Sequence, residues 1–128
     1  MKKNKQKNLF KVFCILGSSL LIIMALFHGS GFFYISESIE TSNAEGFLKD
    51  IVPLLFVHPS LHLIALASLG FLTLVLTSDA GKVLRTLSII VIVDALLAFY
   101  LGAWLPGVLL TLSTLFYALA SVKHKKLL

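Results

Sequence analysis

With 128 residues, 58% of them hydrophobic and 13% charged, the chain carries more apolar surface than a soluble domain of its size can hide in its own core. Its formal net charge of +5 does not point to nucleic acid, because the basic residues sit in short clusters between long apolar runs rather than along one polar face. The single cysteine, Cys14, rules out an intramolecular disulfide or a CxxC metal or redox site and reads as a small buried hydrophobe.

The first apolar run follows Lys2, Lys3, Lys5, Lys7 and Lys11 and extends from Val12 to Phe27. It has the flanks of a secretion signal but lacks an A-x-A-like cleavage site. It exits through His28-Gly29-Ser30-Gly31 into Phe32, Phe33 and Tyr34, which suits a retained helix anchored at an interface. No lipoprotein-type cysteine closes the run. In all, four apolar stretches are separable, at about 10–35, 51–77, 83–101 and 104–122, each near or above the roughly 20 residues that span a hydrocarbon core as a helix. Unbroken apolar runs without period-two alternation leave helices as the way to satisfy the backbone in lipid. The fold expected is therefore all-α, a single-domain integral membrane bundle of four transmembrane helices.

Between the first two spans lies an acidic stretch, 36–50, with Glu37, Glu40, Glu45 and Asp50 against Lys49. Every other Lys and Arg falls in the N-terminal tail, in the turn holding Lys82 and Arg85, or in the tail holding Lys123, Lys125 and Lys126. The positive-inside rule makes those three places cytoplasmic and the acidic loop external, so both termini are expected in the cytoplasm of a cell whose inner or plasma membrane holds the protein. The second span allows two readings. Either it starts at Pro59, leaving Phe47 to Val57 on the outer leaflet, or it is one long helix through Pro53 and Pro59. Spans three and four are joined by Tyr100-Leu101-Gly102-Ala103-Trp104-Leu105-Pro106-Gly107, a tight turn that makes them antiparallel neighbours.

Ionisable side chains within a span are costly, at about 2.5 to 3.5 kcal/mol near its centre on insertion scales, so each calls for an explanation. Asp94 sits mid-span among Ile89 to Leu97 and is expected to face the bundle interior, hydrogen-bonded or protonated. His28 lies near the end of span one, and His58 and His62 near the start of span two, spaced to share a helical face if the helix continues through Pro59. Counting from the cytoplasmic ends at 1.5 Å per residue puts His28 and His62 about 22 to 26 Å up and Asp94 about 13 Å up, level with Thr114. Counting from the outer ends makes His28, His58 and Asp94 level instead. Small residues such as Gly17, Ser18, Ser68 and Gly70 read as close-packing positions.

These residues support three expectations. The first is a small non-enzymatic protein, an accessory subunit or a ligand-binding bundle, whose outer half holds a polar pocket of His28, His58, His62 and Asp94, with Thr114 a further ligand or proton-relay candidate. The second is a redox or metal-binding membrane protein in which His58, His62 and His28 hold haem, copper or zinc, or a histidine works with Asp94 around a quinone. The third is a proton- or ion-coupled carrier in which Asp94 titrates, which with four spans needs an oligomer. No nucleotide loop, serine elbow or HExxH pattern is present, and no cofactor is required. Expected partners are the bilayer, a membrane protein or further copies of the chain, and no nucleic acid.

Overall fold

The computed structural model describes residues 2–125. Met1 and residues 126–128 lie outside it, so the Lys126 assigned to the basic C-terminal tail is outside the described residues, as are the side chains of Lys2 and Lys3. Five helical segments follow in order: α1 (Lys2–Ser30), α2 (Phe32–Glu40), α3 (Gly46–Leu72), α4 (Ala80–Tyr100) and α5 (Trp104–Lys125). Only Gly31 separates α1 from α2, and together they give the first of four helices long and apolar enough to cross a membrane. The chain is thus an all-helical bundle of four potential spans. Large apolar side chains on its outside, such as Leu26, Leu54, Leu96 and Leu105, are more than half exposed, a surface that lipid solvates and water does not.

The acidic stretch 36–50 is mostly helical, and the connection proper shrinks to 41–45. The reason is visible in the spacing of Phe32, Ile35 and Ile39, which give α2 an apolar stripe that is half-buried where α2 packs on α3. Lys49 Nζ donates to the carbonyl of Glu40 at 2.7 Å and so holds the last turn of α2 against the first turn of α3. For the second span the structure shows one helix, Gly46–Leu72, running through both Pro53 and Pro59. Each proline removes a helical donor and frees a carbonyl, which neighbouring helices can answer. Next to the carbonyl that Pro59 frees, His28 Nε2 donates to the Phe56 carbonyl at 2.9 Å, and the two rings stack with centroids 4.4 Å apart.

The four spans form a ring with unequal sides. α1 packs along both α3 and α5, and α5 packs along α4, but α3 and α4 touch over only a short stretch although they follow each other in sequence. The turn between α4 and α5 is three residues long, with Gly102 at φ +76°, which explains the glycine there, and Pro106 in the first turn of α5. Mid-bundle, α1, α3 and α5 approach closely. Ser18 Oγ and Tyr117 Oη are hydrogen-bonded at 3.0 Å, and Ser113 donates to the Gly17 carbonyl at 2.9 Å, all fully buried. Gly70 makes room for that pair, since a Cβ there would run into Ser18 Oγ and Tyr117 Oη. Cys14 is fully buried and accepts a hydrogen bond from Thr73.

At the end of the bundle that carries Lys11, Arg85 and Lys123, the loop 73–79 is tied down by α5. His124, only 5% exposed, donates through Nε2 to the Thr77 carbonyl at 3.2 Å and packs its ring on Phe10. Ser121 donates to the Gly81 carbonyl at 2.9 Å.

Candidate functional site

Asp94 is placed by the face that α4 buries. Leu84, Leu87, Val91 and Ala95 are buried at helical spacing, and α4 packs chiefly on α5. The residue before Ala95 is turned about 100° from that face. It therefore points along the sparse α3–α4 seam. Across that seam stands His62, whose Nε2 lies 3.2 Å from Asp94 Oδ2. A carboxylate oxygen accepts, so His62 donates, and Nε2 carries the proton. Both side chains keep contact with the outside, at 40% and 28% exposure. The pair is therefore accessible through the seam rather than sealed in the core.

Behind the pair is a cavity of about 410 Å³ that all four spans line. Each helix offers a stripe at helical spacing: Met24, Phe27 and His28 from α1, and Asp94, Leu97 and Ala98 from α4 with Leu101 just past its end, with His58 and His62 on α3 and Pro106 and Leu110 on α5. Its walls are apolar except where His28, His58, His62 and Asp94 face it. The structure thus brings four of the five residues singled out in the sequence to one cavity. Because α3 is continuous through Pro59, His58 and His62 share a face, one turn apart.

The four do not play equal parts. The His28 donor is already used by the Phe56 carbonyl, so His28 joins the end of α1 to α3 and closes one wall. His58 is exposed and makes no side-chain hydrogen bond among the described residues, which leaves both its ring nitrogens available at the cavity. His62 and Asp94 between them offer a donor and several acceptor positions. Among the described residues no three His, Cys, Asp or Glu side chains are grouped as metal ligands would be, so His28, His58 and His62 share a cavity without forming a coordination set.

Thr114 is elsewhere. It lines a separate groove of about 640 Å³ between α4 and α5, nearer the basic end, together with Arg85, Ile89, Ile92 and Lys125. Its Oγ1 is buried without a partner. Rotation about χ1 would take it to the carbonyl one turn back, the bond that Thr111 makes to Gly107 at 2.8 Å.

Two polar centres escape a reading by sequence. His124 sits in a basic tail and looks solvated, yet it is buried. The Ser18–Tyr117 pair looks like ordinary packing, because nothing local marks hydroxyls on α1 and α5 as partners. Comparison with protein-family models, with curated proteins and with solved structures finds no match to the chain.

Proposed function

We propose that the chain is a small non-enzymatic membrane protein that binds one amphiphile drawn from the bilayer. The apolar body of the ligand occupies the cavity, and its polar group, a hydroxyl or carbonyl, bonds to His62 and Asp94 with His58 beside them. The observation that carries this reading is the 3.2 Å His62–Asp94 pair set in the wall of an otherwise apolar cavity, at the one side of the ring where neighbouring spans scarcely pack. A ligand dissolved in lipid reaches the cavity sideways through that seam without crossing water. Apolar cavities with a few convergent polar groups are the ordinary form of small-molecule sites.

The orientation that goes with this reading puts both chain ends in the cytoplasm, with the cavity in the outer half of a cell membrane. The basic residues at one end and the acidic α2–α3 connection at the other support it.

The test is mass spectrometry of the organic extract of purified protein, alongside titration with a medium-chain alcohol read by the emission of Trp104, the only tryptophan. The wild type should carry a small amphiphile or bind the alcohol saturably. Asp94→Ala should lose most of that binding, and Leu63→Phe, which narrows the cavity without adding a second tryptophan, should also weaken it. A wild type with no extractable amphiphile and no saturable response would remove the proposal.

A further inference from the structure

The groove between α4 and α5 lies outside the site proposed above and has a different chemistry. Its length is apolar, walled by Ile89, Ile92, Ala118 and Val122, and its mouth is basic, with Arg85 from α4 and Lys125 from α5. The hydroxyls along it are largely committed inside the protein, Ser88 to the Leu84 carbonyl at 2.8 Å and Ser121 to the Gly81 carbonyl at 2.9 Å.

Charge at this end is unbalanced in a specific way. Asp79 is the one carboxylate near the start of α4, and it is held by Lys82 Nζ at 2.8 Å. The remaining acids are at the opposite end or at Asp94. Among the described residues Arg85 and Lys125 have no ion-pair partner, and both are exposed at the head of an apolar slot that faces lipid. Counting back from Lys125 to Thr114 at 1.5 Å per residue gives the slot a depth of about 16 Å along α5, about half the thickness of a hydrocarbon core.

We propose that this groove holds a single anionic phospholipid, its phosphate between Arg85 and Lys125 and one acyl chain laid along α4 and α5. Arginine offers a phosphate a two-pronged set of donors and lysine a point charge. Basic pockets between spans at the membrane surface take anionic headgroups by the same attraction. The lipid fills a slot that helix packing leaves open and supplies Arg85 and Lys125 with the negative charge that Asp79, held by Lys82, does not give them.

The experiment is native mass spectrometry of the full chain in detergent, titrated with phosphatidylglycerol and phosphatidylcholine of matched acyl chains. The wild type should retain one phosphatidylglycerol in clear preference to phosphatidylcholine. Arg85→Gln/Lys125→Gln should lose that preference by roughly tenfold or more, as expected for two juxtamembrane charges. Lys82→Gln, whose charge is already paired, should keep it. Ile89→Trp, which obstructs the slot but spares the charges, should lower retention of both lipids. Equal retention of the two lipids by the wild type overturns the proposal, as does a double variant that binds like the wild type. A stable dimer that Ile89→Trp dissociates overturns it too, because the groove is then covered by a second copy.

Discussion

His62 and Asp94 meet at 3.2 Å across the seam between α3 and α4, two spans adjacent in sequence that otherwise hardly touch. Their hydrogen bond is the main polar link across that side of the ring, so it should be energetically visible. In a double-mutant cycle of His62→Ala and Asp94→Ala, unfolding by SDS in mixed micelles should return a coupling of about 0.6 to 1.7 kcal/mol, the range of side-chain bonds between membrane helices. Additive single effects would mean that the two groups are neighbours without being partners.

Gly70 should tolerate no side chain. Gly70→Ala drives a methyl into Ser18 and Tyr117, and overpacking of this kind costs about 1 to 3 kcal/mol. Because part of the clash is with the tyrosine hydroxyl, the same substitution should cost less in a Tyr117→Phe background. The measurement is the SDS fraction at half-unfolding for the two single variants and the double.

His124 should matter to the loop 73–79 and little to the rest of the bundle. Its removal leaves the Thr77 carbonyl without its side-chain donor and opens a space beside Phe10 and Gly81. His124→Ala should therefore speed amide hydrogen exchange from Thr73 to Val83 while leaving α1 and the middle of α5 protected. Uniformly faster exchange would instead make His124 a support of the whole bundle.

Orientation can be read chemically, because the only cysteine is fully buried and gives little background. Asn43→Cys in the acidic connection and Ser78→Cys at the basic end should react with a membrane-impermeant maleimide from opposite sides. In intact cells the first should be labelled and the second spared, and the reverse pattern would invert the proposed orientation.

At the start of α4 the carboxyl of Asp79 is held below its ordinary value of 3.8, first by its hydrogen bond with Lys82 and then by that from Ser78. A depressed acid stabilises the folded form above its unfolded pKa, and that contribution is lost as pH falls through the folded value. The group is fully exposed, so the effect should be local. The amides of Lys82 and Val83, which bond to the Asp79 carbonyl, should lose protection as the pH drops below the ordinary carboxylate value. In Asp79→Asn that pH dependence should vanish.

Long apolar runs made the four helices legible, because the thickness of lipid sets both their length and their composition. Asp94 and the three histidines near the acidic end were equally legible as costly residues needing a reason. Counting from the two ends of the spans gave conflicting levels for them, since α1 continues into α2 and α3 starts at Gly46, so neither helix ends where its apolar run does. The helical character of 36–40 and 46–50 was hidden by their charges, while the stripe of Phe32, Ile35 and Ile39 lay under them. Nothing local could reveal that α3 and α4 stand apart. That depends on α1 and α5 taking each other as neighbours, a matter of Gly17, Ser18, Ser113 and Tyr117 fitting together over nearly a hundred positions of sequence.

The unequal ring also sets an order of assembly. As the chain leaves the ribosome, α3 finds α1 waiting, but α4 finds almost nothing to hold until α5 arrives, and the three-residue turn at Gly102 brings α5 to it at once. The last two spans should therefore insert as a hairpin and dock on α1 afterwards, with His62 on α3 the one polar partner that Asp94 meets before α5 arrives.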